Sequence, residues 1–388
     1  MTKVKNAQGK QYIDKDNHYL RETVRNIGIY GYFLIMTGTK VCGLTSQDRL
    51  YYILAAVAVV LGFIGFICSS HEVKDIPRIV AICLVPIISF YFNHELPLLM
   101  LMAALVLLKD VKIDDVVKKM GMLWITVIVG AAILTLVGII PFRTYPDEDL
   151  RIWYFGGHNT FHEAVTLAIM YYYVIRRKGN WYTAIIFGVI TLWLYGQTTS
   201  DGGMLVAMLV IAGMTLWHYT KAKDMLWKVF SWLMCLGCAA IAVFSFVIGI
   251  MYKAGDKMSD MWDKLFTNRV HIMRYVLDAY PITPFGHKLE GRLDYELLDN
   301  AYFDILMEFG VVTLILFVVM YVLVIRRFYV RKEYDRIIIC CAFFAYAVVE
   351  QLFRHCFLNF TLLYFAYIIW NKENVLDDVE DYKNTSLL

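Results

Sequence analysis

Basic side chains and carboxylates are concentrated in one stretch of this chain, Lys253–Asp299, which we call the polar segment. Its 47 residues separate two long apolar stretches. A helix predicted over 268–280 carries Arg269 in its first turn and Arg274 on its polar side. An arginine beside the N–H groups of a helix start can bind an anion, since both supply donors and positive potential. The alternative is an amphipathic helix on a membrane surface, with its arginines at lipid headgroups.

Further polar residues stand at the ends of apolar stretches, on the side where the polar segment is expected. A polar group at membrane depth costs free energy unless it is paired or hydrated. This placement therefore predicts one polar cavity that opens to that side. The residues are His158, Asn159, His162, Glu163, Thr198, Thr199, Ser200, Asp201, Asp299, Asn300, Asp304, Glu308, Glu350, Arg354 and His355.

Two of the pairs with a spacing of four are His158 with His162 and Glu350 with Arg354. His158 and His162 could share a helix face, but no third metal ligand follows at a recognised spacing. A polar helix end is therefore favoured over a metal site. Glu350 and Arg354 could form an ion pair along one helix.

Twelve apolar segments would position these residues. The chain is 59% hydrophobic, above the ~45–50% of soluble domains, and its mean hydropathy is +0.55. About 20 residues of helix cross the bilayer core, so we expect an all-α polytopic membrane protein with about 12 transmembrane helices. It would be a single membrane domain over 1–388, with a large outer loop at 253–299 that contains short helices. The segments are 26–42, 50–68, 77–92, 95–109, 120–141, 159–175, 181–197, 202–219, 226–252, 300–325, 337–353 and 356–371.

The basic residues predict the orientation. With the N-terminus in the cytoplasm, 25 of the 37 Lys and Arg residues lie in cytoplasmic segments and only five in the short outer loops. The rest lie in the polar segment, which is too long for the rule to apply. Both termini are therefore predicted to be cytoplasmic and the polar segment extracellular. A net charge of +3, with basic residues at loop ends, gives no reason to expect a nucleic-acid partner.

Three motifs form a recognisable set. The first is GHNTFH at 157–162, which opens a predicted helix. The second is Asn268-Arg269, followed by Pro281 and by Pro284-Phe285-Gly286. The third is Asp299-Asn300-Ala301-Tyr302, which opens the next predicted helix. With the long loop late in the chain, they resemble the Wzy-type O-antigen and capsular polysaccharide polymerases, which are relatives of the O-antigen ligases. The topological resemblance covers most of the chain and the motifs about 60 residues.

The chain departs from that family pattern at three places. Ser200-Asp201-Gly202 stands where the family often has Ser-Arg-Gly, and Gly286-His287 stands where it has Gly-x-Gly. Asp299 occupies a position where the ligases tend to have histidine. The last difference favours a polymerase over a ligase and leaves the identity of the catalytic base open.

The resemblance implies a transferase of the bacterial cytoplasmic membrane that joins repeat units carried on undecaprenyl diphosphate. An acceptor hydroxyl would attack the anomeric carbon of the donor, with undecaprenyl diphosphate as the leaving group and neither metal nor cofactor required. The implied partners are the lipid-linked donor and acceptor, membrane lipid, a chain-length regulator and a flippase. The implied roles are catalysis by Asp299, His158 and Glu163, diphosphate binding by Arg269, Arg274, Arg143, Arg151 and Arg354, and sugar binding by Asn300, Tyr302, Trp153 and Tyr154.

Three alternatives remain open. A ligase would transfer finished glycan to another acceptor. A flippase or transporter would use Asp304, Glu308, Glu163 and Glu350 for protons or ions, although we find no internal repeat of the kind transporters often have. A receptor or assembly protein would carry out no chemistry.

Overall fold

The computed structural model describes residues 2–44, 48–140, 143–144, 151–152, 158–220, 223–266, 269–289 and 299–370. Nearly all of these residues are helical. The only strands within these ranges are a two-residue antiparallel pair, β1 (Arg143–Thr144) and β2 (Arg151–Ile152). A helix satisfies its backbone hydrogen bonds internally, which suits long apolar sequence that has no water to bond to. The all-α prediction is confirmed.

The helices follow the predicted apolar segments through most of the chain. They are α1 (Thr2–Val41), α2 (Arg49–Ile67), α3 (Ile76–Asn93), α4 (Pro97–Leu107), α5 (Ile113–Leu136), α6 (His158–Arg176), α7 (Trp181–Thr198), α8 (Asp201–Thr220), α9 (Asp224–Met251), α10 (Lys257–Leu265), α11 (Val270–Ala279), α12 (Ala301–Asp304), α13 (Gly310–Val330), α14 (Tyr334–Tyr346) and α15 (Phe365–Ile369). The polar segment thus contains two short helices, α10 and α11.

Six helical stretches in the described part of the chain are long and apolar enough to cross a membrane. These helices indicate a membrane protein, and the expected count of about twelve crossings stays a prediction. The six stretches are Arg49–Ile67, Val73–Asn93, Ile113–Leu136, Asp201–Thr220, Asp224–Met251 and Ala301–Val330.

The last two predicted segments fold differently from the expectation of continuous helices. Helix α14 has 13 residues, a length of about 20 Å, and turns follow it where the segment 337–353 predicted helix. A 3₁₀ turn, Phe360–Tyr364, then precedes α15. The buried Asn359 explains this second break, because its side chain accepts from Thr361 N at 3.2 Å and donates to the Tyr321 hydroxyl at 3.0 Å. Such local bonds compete with regular helix.

Helices α1 and α2 pack at close range through small residues. A Cβ atom added at Gly28 would lie 2.6 Å from the backbone nitrogen of Gly65, so no larger side chain fits there. Small residues are the common means of close helix contact inside membranes.

The helix that follows the polar segment is interrupted by a π turn, Ile305–Phe309, between α12 and α13. The turn at 283–286 packs against this interruption. Val311 N donates to Thr283 O and Val312 N donates to Pro284 O, both at 3.1 Å. Asn93 Nδ2, at the end of α3, donates to Glu308 O at 2.7 Å. An interrupted helix leaves backbone N–H and C=O groups without their usual partners. The turn at 283–286 accepts from two of these N–H groups, and Asn93 donates to one of the carbonyl groups.

The polar segment is also packed against the helices by a small apolar core of its own. Residues of α9, α11 and the α12–π region form it: Ile248, Val270, Met273, Phe303, Leu306 and Met307. Helix α11 therefore lies directly on α9 and on the start of the next long helix.

Candidate functional site

One ion pair joins the start of α11 to the last residue of the polar segment. Arg269, at the start of α11, donates from Nε to Asp299 Oδ2 at 2.9 Å, and its Nη2 lies 2.9 Å from the same oxygen. Both side chains are partly accessible, at 14% and 25%. The Oε1 atom of Glu350 lies 4.0 Å from Arg269 Nη2, so one guanidinium faces two carboxylates.

The start of α11 is organised by Asp263. Its Oδ1 atom accepts from Val270 N at 2.8 Å and from His271 N at 3.0 Å, and the His271 ring lies within 3.0 Å of Oδ2. Thr267 and Asn268, which precede this helix, lie outside the described residues. The N–H groups of Val270 and His271 are already bonded to a carboxylate of the chain itself. The diphosphate-binding role of the Arg269 side chain stays a prediction.

Asn300 fixes the other half of the pair. Its Oδ1 atom accepts from Phe303 N at 3.0 Å, and its Nδ2 donates to Ser245 Oγ at 3.1 Å and to Val348 O at 3.2 Å. These bonds cap α12 and tie it to α9 and to the chain beyond α14, so they hold the neighbouring Asp299 in place. With this side chain 3% exposed, Asn300 has a positioning role in the structure, and its sugar-binding role stays a prediction.

The ion pair lies below the end of α9. Ser245, which accepts from Asn300, precedes the last residue of α9, Met251, by six residues. At 1.5 Å per residue this is about 9 Å along the helix axis. The pair therefore lies at the depth of the final turns of a helix long enough to span the membrane.

Glu350 belongs to this cluster rather than to an ion pair with Arg354. Helix α14 ends at Tyr346, so a spacing of four does not bring Glu350 onto a common helix face with Arg354. The carboxyl groups of Glu163, on α6, and of Asp299 interact electrostatically with Glu350, as does the Arg269 guanidinium.

Arg354 lies in a second, more deeply buried charge cluster. Its side chain is 4% exposed, and its Nη2 atom pairs with Glu308. Its Nε lies 3.4 Å from Asp304 Oδ2, and its Nη2 lies 3.5 Å from Glu95 Oε2. Three carboxylates thus surround one guanidinium, which leaves less positive potential for a bound diphosphate here than at Arg269.

Two further predicted site residues, Arg274 and Tyr302, bond to other parts of the chain. Arg274 donates to both oxygens of Asp278 at 2.7 and 3.1 Å and to Ile250 O at 3.0 Å. Tyr302 is buried, and its hydroxyl donates to Phe344 O at 3.1 Å. The predicted residues whose side chains lie outside the described part of the structure are His158, Arg143, Arg151, Trp153 and Tyr154.

His162, the second histidine of the HxxxH motif, lies inside the helix bundle. The ring is buried, and Nδ1 lies 3.0 Å from Thr198 Oγ on α7. In the described part of the chain no group of three His, Cys, Asp or Glu side chains has the geometry of a metal site.

Sequence reasoning missed Asp263, Ser245 and Glu95. A signal existed for Glu95, because a carboxylate between two short apolar segments needs a partner at membrane depth. Asp263 and Ser245 had none, since their partners lie seven or more residues away along the chain.

The fold indicates a helical membrane protein, and its described residues bring Arg269, Asp299 and Glu350 together beside α9. Comparisons with protein-family models, with curated proteins and with solved structures find no match for this chain.

Proposed function

We propose that the protein is a polysaccharide polymerase of the Wzy type, acting on the outer face of the bacterial cytoplasmic membrane. It would join oligosaccharide repeat units carried on undecaprenyl diphosphate. The observation that carries the proposal is the pairing of Arg269 with Asp299, beside Glu350. The adjacent Asn300 bonds Ser245, which lies about 9 Å before the end of α9.

The depth of this pair suits a lipid-linked substrate. The diphosphate of a polyprenyl carrier lies at the boundary between hydrocarbon and headgroups, and its sugar extends into water. A partly exposed guanidinium at this boundary can donate two parallel hydrogen bonds to phosphate oxygens. Arg269 would therefore hold the diphosphate where the carrier tail can remain in lipid.

The pair also supplies a base. In the structure Asp299 pairs with Arg269. A bound diphosphate would compete for the guanidinium and leave the Asp299 carboxylate beside the acceptor. The acceptor oxygen then forms a bond to the donor's anomeric carbon, its proton passes to Asp299, and the bond from that carbon to the diphosphate oxygen breaks. Arg269 stabilises the charge that develops on the leaving diphosphate.

A flippase or transporter remains the second candidate, and a specific observation favours it. Arg354, Asp304 and Glu308 are almost completely buried near the end of a spanning stretch. Ionisable groups in such places often mark ion or substrate paths. A ligase of finished glycan would use the same Arg269–Asp299 chemistry and differ only in its acceptor.

Reconstitution separates these functions. The purified protein in vesicles is given fluorescent lipid-linked repeat units on the side of the polar segment. A polymerase yields a ladder of longer glycans without a nucleotide sugar. A flippase yields only redistribution of labelled lipid across the bilayer, and a ligase leaves single repeat units unextended until another acceptor is added. Either of these last two outcomes refutes the polymerase proposal.

A further inference from the structure

Helix α10, Lys257–Leu265, presents an uncovered apolar face. Met258, Met261 and Leu265 are spaced three and four residues apart and so share one side of the helix. Their exposed fractions are 58%, 49% and 65%. Exposed apolar side chains in such a row mark an interaction surface more often than a solvated one.

The opposite side of α10 faces the protein. Ser259 is buried, and its hydroxyl accepts from Lys253 N at 3.1 Å, just beyond the end of α9. Asp263 caps α11. These contacts fix the rotation of α10, so its apolar face cannot turn inward.

Ring contacts set the depth of α10. Trp262 and Phe266 approach Phe244 of α9, with ring centroids 5.7 and 6.2 Å apart. Phe244 precedes Met251, the end of α9, by seven residues, or about 10 Å along the axis. Helix α10 therefore lies against the final turns of α9 rather than beyond its end.

The surface beside α10 is that of a helix long enough to span the membrane. On α9, Val243, Val247 and Met251 are exposed by 62%, 39% and 68%. The contact of Trp262 with Phe244 joins this apolar surface to the exposed face of α10. The apolar face of α10 continues the exposed apolar surface of α9, which we expect to contact lipid. The bilayer is therefore the partner that best fits this face.

We propose that α10 is an interfacial helix that lies in the membrane leaflet bordering the polar segment. Met258, Met261 and Leu265 enter the acyl region, while the exposed Lys257 and Lys264 lie at headgroup level beside lipid phosphates. Amphipathic helices of this kind insert to about 5–10 Å, which fits the level of Phe244. The inference does not depend on the proposed reaction.

The test uses the full-length protein in nanodiscs of phosphatidylcholine and phosphatidylglycerol. It is labelled either with a lipid-soluble diazirine or with a water-soluble one, and labelled residues are located by mass spectrometry. We expect Met258, Met261 and Leu265 to react with the lipid-soluble reagent and Lys257 and Lys264 with the water-soluble one. Labelling of the apolar face from water overturns the proposal. Protection of that face from both reagents also overturns it, since a protein partner or a second copy would then cover it.

A pair of variants provides an internal control. Met261→Glu places a charge on the apolar face and should reduce lipid-phase labelling of Leu265 several-fold. Asp260→Asn, on an adjacent position outside that face, should leave it unchanged. Equal labelling of Leu265 in the two variants contradicts insertion. Membrane yield and thermal unfolding of each variant show whether the fold is kept.

Discussion

Arg269 and Asp299 stand thirty positions apart in the chain, yet their side chains share a hydrogen bond of 2.9 Å. The pair closes the polar segment onto the helices: one residue opens α11, and the other directly precedes Asn300, the cap of α12. The two side chains on which the proposed chemistry depends are therefore positioned by two helix starts. Capping fixes the backbone conformation at each of these starts.

Replacing Arg269 should abolish glycan extension without unfolding the protein. Arg269→Ala removes the donors to the leaving diphosphate, and a loss of about a hundredfold or more is expected. Arg269→Lys keeps the charge but loses bidentate geometry, so it should recover only part of the rate. The measurement is the initial rate of ladder formation in vesicles. Arg326→Ala, an exposed arginine at the far end of α13, is the matched control. Normal extension by Arg269→Ala would disprove the assignment.

Asp299→Asn should separate binding from chemistry. The amide can still accept a hydrogen bond from Arg269 but cannot take the acceptor proton, so kcat should fall while the affinity for lipid-linked donor is kept. Donor binding by the variant is measured with a fluorescent carrier analogue, and turnover by ladder formation. A variant that extends glycan at the original rate would assign the base to another group. The next candidates are Glu350 and Glu163, which interact electrostatically with each other.

The Arg354 cluster should be sensitive to the loss of one partner and tolerant of the loss of two. Arg354→Leu leaves Asp304 and Glu308 buried without their guanidinium, which should cost about 3–5 kcal/mol of folding free energy. Arg354→Leu combined with Glu308→Leu removes two opposite charges and should recover part of that loss. Unfolding in denaturant gives both values. Additive effects in the double variant would mean that the two side chains do not interact.

The packing of the 283–286 turn against the π turn should depend on Gly286. Gly286 has φ of +76°, and a Cβ atom there would collide with the carbonyl oxygen of Glu308 in the π turn. Gly255 has a similar φ of +80° but no atom within 4 Å of a Cβ. Gly255→Ala should cost only backbone strain of about 1 kcal/mol, whereas Gly286→Ala should cost several times more, since backbone must move. Equal melting temperatures for the two variants would show that the turn does not dock as described.

Local sequence was sufficient for much of this protein. Long apolar runs determine helices because nothing else satisfies the backbone away from water, and α2, α7, α8 and α9 lie close to their expected limits. The break after Ala279 also followed from the sequence, since Pro281 cannot continue a helix. The residues Arg269 and Asp299 could be named as candidates because charge near apolar sequence is costly and therefore informative.

Which charges meet was decided only by the tertiary structure. The spacing of Glu350 and Arg354 indicates one ion pair, but the end of α14 at Tyr346 sends the two side chains to different clusters. Arg269 and Arg274 look equivalent in sequence, yet one faces Asp299 and the other Asp278. Hydrophobic pattern and backbone chemistry act over a few residues and so can be read along the chain. Ion pairs between distant positions depend on how helices cross and on what each turn docks against, and no local pattern contains that information.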